Sequence, residues 1–208
     1  SSLQNVDGLA NLPNLTSLDL SYSTLLQNLD GIAKNVSNLT SLVLSSCDSL
    51  QNVDGLANLT NLASLDLSDC RSLKNVDGLA NLPNLTSLVL SGYDALQVPS
   101  EKSKMTTRDE VVVYQDKIRI VMALKNGDMD VFSDYKATTI LNLSGCTSLK
   151  NADGLAKCTK LTSLDLRDCD SLQNVDGLAN LTNLRSLNLC YCNKVHPKPS
   201  RVIMRTRD

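Results

Sequence analysis

The feature that most constrains this chain is a cysteine that recurs every 23 residues. Five cysteines share this register, with one longer interval among them: Cys47, Cys70, Cys146, Cys169 and Cys192. Tyr93 occupies the position after Cys70, and Ser23 precedes Cys47 one residue out of register. Around these positions one pattern returns: leucine, two residues, leucine, one residue, leucine, two residues and cysteine. A fixed period of this length predicts a solenoid of stacked turns.

One turn, residues 62–84, shows how the repeat is expected to fold. Leu65 and Leu67 alternate with polar residues, which is typical of a short, half-buried strand. Asp77 is placed to cap a very short helical or 3₁₀ segment whose Leu79 faces inward. Because one turn cannot bury its own apolar edge, we expect the strands to stack in parallel, each turn stabilised by its neighbours.

Seven leucine pairs carry a resemblance to a known family: Leu18 and Leu20, Leu42 and Leu44, Leu65 and Leu67, Leu88 and Leu90, Leu141 and Leu143, Leu164 and Leu166, and Leu187 and Leu189. On these residues the chain resembles the leucine-rich repeat family. Residues 53–62 are similar to the bacterial internalin type. The repeat differs from that type in its ladder position, which holds a cysteine, as at Cys47 and Cys70, where the internalin type has asparagine. The resemblance implies an α/β solenoid: an arc with a parallel β-sheet on its concave face and short helical or 3₁₀ segments on its convex face.

The resemblance also implies a scaffold that binds a protein partner through the concave face. The candidate residues on that face are Asp19, Val43, Asp66, Val89, Asn142, Asp165, Arg167 and Asn188, with Tyr22 and Tyr191 at its rim. This face is small, polar and mildly acidic, and it has almost no aromatic anchors, although interface hot spots usually need Tyr, Trp or Arg in a packed centre. The alternative interpretation is a solvated sheet face without a partner.

Residues 98–127 interrupt the repeats as an insertion. A capping box from Thr107 to Glu110 and a stop at Gly127 frame one helix. Against the helix, six of the fourteen residues from 111 to 124 are Val or Ile, which favours a β-hairpin. The sequence favours the hairpin slightly, and its apolar surface is expected to pack on the neighbouring repeat. The candidate binding residues of the insertion are Val112, Tyr114, Ile118 and Arg119.

The repeat register resumes after the insertion, since residues 129–135 match the apolar spacing of residues 76–82. We expect residues 1–208 to form a single repeat domain that is part of a longer array. Residues 105–109 and 204–208 agree at four of five positions, 99 residues apart. The tail 196–208 is therefore predicted to begin a second insertion.

Composition argues against several classes of function. The net charge is -2 and the pI is about 5.4, so no overall charge attracts nucleic acid or an anionic membrane. Aromatic residues make up 3% of the chain, which is little for base stacking. No apolar run approaches the length needed to span a bilayer. We therefore predict neither nucleic-acid binding nor membrane insertion.

The seven cysteines are predicted to be free structural thiols, because ladder cysteines one turn apart behave as small apolar residues. Cys158 replaces a core leucine. Cys190, Cys192 and His196 are the only cluster that resembles a metal site, but the register points the two thiols apart, so no metal or cofactor is predicted. The single His196 lies in the tail, and no catalytic site is predicted.

The cellular compartment stays open. Free thiols favour a reducing compartment. Seven glycosylation sequons, most of them in an Asn-Leu-Thr that the repeat itself uses, leave a bacterial surface or secreted location open: Asn14, Asn35, Asn38, Asn58, Asn84, Asn142 and Asn180.

The sequence thus predicts a non-catalytic protein-interaction scaffold that binds through the concave face, the insertion or both. The alternative is a structural or adhesive repeat array that self-associates through the insertion.

Overall fold

The computed structural model describes residues 3–92 and 103–196. Seven three-residue strands correspond to the predicted leucine pairs: β1 (Ser17–Asp19), β2 (Ser41–Val43), β3 (Ser64–Asp66), β4 (Ser87–Val89), β6 (Ile140–Asn142), β7 (Ser163–Asp165) and β8 (Ser186–Asn188). One further short strand, β5 (Lys104–Met105), lies in the insertion. Two helices are present in these ranges, α1 (Asp30–Asn35) and α2 (Arg108–Asn126).

The strands form two sheets. In the first, β1 to β4 are parallel and in register, so that Ser17 pairs with Ser41 and Ser41 with Ser64. β5 then pairs antiparallel with β4 through Leu88 and Met105. In the second sheet, β6, β7 and β8 are parallel. The predicted leucine-rich repeat solenoid with parallel strands is confirmed.

The chain divides into two compact units, and the boundary lies inside α2. Among the described residues, the first unit runs to Ile118 and contains the first sheet. The second unit begins at Arg119 and contains the second sheet.

A short helical segment precedes each of the seven parallel strands. Six of these segments are 3₁₀ helices: Asp7–Asn11, Asp54–Leu56, Asp77–Leu79, Val131–Ser133, Asp153–Lys157 and Asp176–Asn180. The exception is α1, in the turn whose strands start 24 rather than 23 residues apart, at Ser17 and Ser41. The extra residue follows Asp30, which gives this turn the length for an α-helix. The predicted short helical or 3₁₀ segments are confirmed, as is the return of the register at Phe132, which is fully buried.

Six of the seven segments open with an aspartate, which is their first helical residue and not their N-cap. The N-cap of Asp77–Leu79 is Val76, which makes no side-chain cap bond. Instead, the backbone N–H of Asp77 donates to Asn75 Oδ1 at 2.7 Å. Asn174 accepts from Asp176 N–H at the same distance. The predicted aspartate cap is wrong, because Asp77 is already the first helical residue and its own N–H is held by the asparagine two residues upstream in an Asx turn.

Four of the five ladder cysteines bond their turn to the one before it. Cys47 Sγ lies 3.3 Å from the carbonyl oxygen of Leu20, and Cys70 Sγ lies 3.1 Å from that of Leu44. Cys169 and Cys192 repeat this contact in the second unit. These thiols are fully buried or nearly so, which confirms the predicted inward register. Each thiol therefore fills core space and donates to a backbone carbonyl of the neighbouring turn.

The Asp-Gly-Leu glycines serve the close stacking of turns. A Cβ added to Gly78 would lie 2.1 Å from Val53 O in the preceding turn, and one added to Gly177 would lie 2.6 Å from Asp153 Cα. Neither glycine has a backbone in the left-handed region. Only the missing side chain lets adjacent segments approach this closely, so steric room and not turn geometry requires glycine here.

The core of the insertion is the helix α2, so the preference for a hairpin is wrong. Thr107 Oγ1 accepts from Glu110 N–H at 3.3 Å, which is half of the predicted capping box. At the other end Gly127 has a φ of +72°, and Asp128 N–H donates to Ala123 O at 3.0 Å, as in a Schellman motif. The buried positions in the first unit follow helical spacing: Val111, Tyr114, Gln115 and Ile118. Burial of that face outweighs the β propensity of the valines and isoleucines.

The first half of α2 packs on the fourth turn of its own unit, as predicted for the insertion. Gln115 is fully buried, and its Nε2 donates to Leu79 O at 2.7 Å and to Leu82 O at 3.1 Å. Arg108 Nη1 donates to Leu85 O at 2.8 Å and to Gln115 Oε1 at 3.0 Å. The insertion thus supplies hydrogen-bond donors to the flank of the last turn in the first unit.

The predicted continuation into a second insertion concerns residues 196–208, of which 197–208 lie outside the described residues.

We predict that Gly78→Ala destabilises the protein by about 3 kcal/mol, because its Cβ would collide with backbone. Gly8, at the same repeat position in the first turn, is the matched control, since nothing lies within 4 Å of an added Cβ. Gly8→Ala should change stability by less than about 1 kcal/mol, in the stabilising direction. Urea unfolding followed by circular dichroism measures both, and equal effects would contradict the stacking role.

We predict that Gln115→Ala costs about 2 to 4 kcal/mol, because it removes a buried side chain and leaves two carbonyls with one donor fewer. Val113 lies on the same helix and is 72% exposed. Val113→Ala should therefore change stability by less than about 0.5 kcal/mol. Thermal unfolding of both variants tests the difference, and a Gln115→Ala protein as stable as the control would refute it.

Candidate functional site

The predicted strand-face residues lie side by side within each unit. In the first unit the register places Asp19 beside Val43, Val43 beside Asp66, and Asp66 beside Val89. In the second it places Asn142 beside Asp165, and Asp165 beside Asn188. All of them are exposed or half-buried. Each sheet therefore presents an accessible row of the predicted residues.

The acidic and amide members of these rows are engaged with their own chain. Asp66 Oδ1 accepts from the backbone N–H of Ser68 at 2.8 Å and from its hydroxyl at 2.7 Å. The side chains of Asp19, Asn142, Asp165 and Asn188 each accept from the backbone N–H two residues later. These are Asx turns that close the end of each strand. The sequence analysis missed this role, although an Asp or Asn at this position in five of the seven repeats is its signal.

Asp19 shows the electrostatic effect of this arrangement. The hydroxyl of Ser21 donates to its carboxylate, and Ser21 N–H donates to Oδ1 at 2.8 Å. The side-chain bond from Ser21, followed by the backbone bond, lowers the pKa of Asp19 below the ordinary value. Asp19 is therefore a stable carboxylate at neutral pH.

Tyr22 and Tyr191 occupy a left-handed turn position at the end of the strand. Their φ angles are +60° and +62°, and their exposures are 69% and 62%. The same position has positive φ in the other turns, in Ser46, Asp69, Gly92, Gly145 and Asp168. The strained backbone therefore belongs to the repeat, and what distinguishes these two turns is an exposed aromatic side chain.

Ile140 is an exposed apolar residue that the prediction did not include. It opens β6, pairs with Ser163 and is 70% exposed. The six other parallel strands begin with serine. The signal was present in the sequence as an isoleucine in a serine column.

A groove lined by basic residues lies in the second unit, where its strands begin. Its volume is about 620 Å³, and its lining is Lys136, Ala137, Thr139, Lys160, Thr162, Asn183 and Arg185. The three cations come from three successive turns and are exposed. The floor is fixed by turn-to-turn bonds, since Thr162 Oγ1 donates to Thr139 O at 3.0 Å and Asn183 Nδ2 to Thr159 O at 2.8 Å. The sequence analysis considered the residues of the strand face and missed this groove.

Two of the predicted insertion residues are not on the surface. Tyr114 is 4% exposed and Ile118 is fully buried, because both face the interior on the buried side of α2. Val112 and Arg119 are half-buried. Val113, which was not among the candidates, is the exposed large apolar residue of this helix. The surface that the insertion offers is therefore smaller than its composition suggested.

The cysteines show the environment of structural thiols. All seven are free. Cys158 is 1% exposed, as predicted for a core position, and burial raises the pKa of its thiol. A hydrogen bond with the Cys192 side chain, and burial, raise the pKa of the Cys169 thiol well above the usual range. Cys190 is half-buried and Cys192 is buried, which agrees with their predicted divergence.

Within residues 3–92 and 103–196, no group of three or more His, Cys, Asp or Glu side chains is arranged to hold a metal ion. In that same part of the chain, no helix combines the length and apolar character needed to cross a membrane.

We predict that Ser21→Ala raises the pKa of Asp19 toward the ordinary value, because the hydroxyl bond is lost. In the native protein the folded-state pKa is depressed. The contribution of this carboxylate to stability is therefore present above the unfolded-state pKa and is lost as pH falls through the folded-state pKa. Titration of the Asp19 carboxyl by NMR measures the shift. Ser17→Ala, on the same strand, is the control and should leave the titration unchanged.

The chain is similar to several solved structures. Internalin C2 of Listeria monocytogenes is 23% identical with a TM-score of 0.40, covering 90% of this chain and 66% of internalin C2. Internalin F of the same organism is 19% identical with a TM-score of 0.39, covering 92% of this chain and 63% of internalin F. The leucine-rich repeat domain of the type III effector XopL is 20% identical with a TM-score of 0.45, covering 94% and 68%. The chain thus spans less than two thirds of either internalin. No curated protein sequence matches it.

The sequence profile of Zer-1-like leucine-rich repeats matches residues 7–124. That range is 118 of the 208 residues and contains the first sheet and most of α2. With the periodic leucines and parallel strands described above, this match establishes that the chain belongs to the Zer-1-like leucine-rich repeat family.

Proposed function

We propose that this chain is a protein-recognition scaffold that binds its partner through the open faces of its strands. Leucine-rich repeat domains are typically non-catalytic modules for binding proteins. The observation that carries the proposal here is Ile140, a 70% exposed apolar side chain on a strand face where the other parallel strands have serine. An exposed isoleucine contributes nothing to the core, and its burial by a partner would be favourable.

The contacts are expected to come from residues that the fold does not itself require. The aspartates and asparagines of the strand rows are committed to Asx turns. Val43 and Val89 have no such acceptor, and both are half-buried next to polar neighbours. Tyr22 and Tyr191 add exposed aromatic rings, one in each unit. This combination of apolar side chains and tyrosines in a polar surround is typical of protein interfaces.

The insertion contributes less to this proposal than its sequence implied, because Tyr114 and Ile118 are buried. Val112, Val113 and Arg119 remain as surface candidates on α2. Self-association through the insertion stays a prediction, and light scattering of Val113→Asp beside the wild-type protein measures it.

We predict that a photoreactive amino acid placed on the strand face crosslinks to a partner protein in the native cell. Positions 43 and 140 sample the strand faces of the two units. Positions 58 and 180 are exposed beside the 3₁₀ segments and serve as matched controls. A defined adduct from 43 or 140, absent from 58 and 180, is the expected result. It follows because positions 43 and 140 carry apolar side chains that are half-buried and exposed, whereas 58 and 180 are asparagines.

The partner identified by mass spectrometry is then purified, and its affinity is measured by calorimetry. Ile140→Ser should weaken binding by about tenfold without lowering the unfolding temperature, since the side chain is exposed. Adducts from the 3₁₀ side alone, or unchanged affinity of Ile140→Ser together with a doubly substituted Val43→Ser and Val89→Ser protein, would contradict the strand-face proposal.

A further inference from the structure

We propose that the groove at the start of β6, β7 and β8 binds an acidic peptide segment of a protein partner. This inference rests on the proposed function and specifies one contact within it. The groove brings together Lys136, Lys160 and Arg185 around a volume of about 620 Å³. Their side chains come from successive turns, so the site exists only in the stacked second unit.

The same surface in the first unit is neutral. The positions that correspond to Lys160 there are asparagines: Asn14, Asn38, Asn61 and Asn84. The positions that correspond to Arg185 are threonines and one alanine: Thr16, Thr40, Ala63 and Thr86. Because the two units share one repeat pattern, this difference shows that the fold itself does not require basic residues at these positions.

Lys160 stands where other turns use a structural hydrogen bond. Asn38 Nδ2 donates to Pro13 O at 2.8 Å, and Asn84 Nδ2 to Thr60 O at 2.8 Å. Asn183 keeps this bond within the second unit. By register, an asparagine at 160 would donate to the carbonyl of Lys136. The lysine lacks the side-chain amide that bonds to the preceding turn in those repeats, and it carries a positive charge instead. Such an exchange is expected where function competes with stability.

Arg185 likewise stands where other turns have a threonine hydroxyl that donates to the preceding turn. Thr40 Oγ1 donates to Thr16 O at 3.0 Å, and Thr162 Oγ1 donates to Thr139 O at 3.0 Å. At position 185 the side chain has no hydroxyl for this purpose and carries a planar cation instead. Two of the three basic residues therefore occupy positions that the repeat otherwise assigns to turn-to-turn bonding.

The three positive charges have no acidic partner among the described residues. The ion pairs found there in the second unit involve Lys157 with Asp130 and Arg167 with Asp168. Lys136, Lys160 and Arg185 belong to neither pair and are exposed. Like charges gathered in this way repel one another, and an anionic ligand between them would relieve that repulsion and associate faster.

The spacing suits carboxylates on an extended chain. Neighbouring parallel strands are about 4.8 Å apart, so the first and third turns are about 10 Å apart. Along an extended peptide, side chains two residues apart are about 7 Å apart on one face, and three residues span about 10 Å. Two acidic residues at alternate positions lie on one face of the peptide, about 7 Å apart, and therefore fit within the span of the three cations.

The surroundings favour a peptide over a nucleic acid. No aromatic side chain lines the groove, so bases would find no stacking surface. Ile140 follows the groove residue Thr139 and is exposed on the strand face, where it can receive an apolar residue of a peptide. The ligand is thus an acidic segment with an apolar neighbour.

The test uses the full chain and a fluorescein-labelled peptide of about nine residues, with glutamate at alternate positions and a central leucine. A second peptide carries glutamine in place of every glutamate. Fluorescence anisotropy should show at least about tenfold tighter binding of the glutamate peptide, falling as salt is raised. The variant Lys136→Gln, Lys160→Gln, Arg185→Gln should lose about tenfold in affinity for it.

The matched control is Lys74→Gln, Lys150→Gln, Lys194→Gln, which removes the same charge from exposed positions outside the groove. It should change the affinity by less than about twofold. Equal losses in both triple variants would show unspecific attraction and overturn the proposal. So would no binding of the glutamate peptide, or tighter groove-dependent binding of a single-stranded oligonucleotide of matched charge.

Lys160→Asn provides a second readout. It should raise the unfolding midpoint by about 2 °C by restoring the ladder amide, while it weakens glutamate-peptide binding. A lower midpoint or unchanged peptide affinity would contradict the exchange of stability for charge. Because photocrosslinking at 43 reads the strand face of the first unit, which holds none of the groove residues, failure of the peptide alone removes the groove proposal and leaves the scaffold proposal intact.

Discussion

The fold depends on hydrogen bonds that pass from each turn to the next. Leu44 N–H donates to Asp66 O at 2.8 Å, and Cys70 Sγ donates back to Leu44 O at 3.1 Å. A single turn has no partner for these groups, so its polar backbone and its apolar edge are both satisfied only by stacking. Every residue that faces a neighbouring turn is consequently restricted in size and donor pattern, as Gly78 shows. Variation is left to the strand face, the turn tips and the insertion.

The insertion applies the same rule where the first sheet ends. β5 pairs with β4, and Gln115 and Arg108 donate to the carbonyls of the fourth turn. The backbone of the insertion thus takes over a bond that a further turn would make, since Leu90 N–H donates to Ser103 O at 2.6 Å as Leu67 N–H does to Val89 O at 3.0 Å. The amide of Gln115 adds donors to the carbonyls of the fourth turn, which explains why a glutamine is fully buried on an otherwise apolar helix face. It also explains why most of the insertion's large apolar residues serve the core of their own chain rather than a partner.

The sequence predicted the features that recur with the repeat, and it missed those that depend on contacts between residues of the folded chain. The leucine pairs gave seven strands, and the cysteine register gave the buried ladder. The helix α2 was misjudged because the polar Gln115 interrupts its buried face and conceals the helical spacing. The Asx turns were overlooked because Asp66 was assessed as surface charge and not as an acceptor for Ser68. The basic groove depends on residues more than twenty positions apart, which only the stacked register brings together.

Residues that differ from the repeat pattern therefore indicate where the protein functions, provided that the difference has no structural explanation. Phe132 departs from leucine but is fully buried, so packing explains it. Ile140 and Lys160 also differ from the repeat pattern, but both are exposed, and most other turns have serine and asparagine at these positions. Neither replacement improves the stacking, and the lysine forgoes the ladder bond that Asn183 makes one turn later. Both lie in the second unit and beside one groove, which makes that unit, rather than the interrupted cysteine ladder, the place where recognition is expected to concentrate.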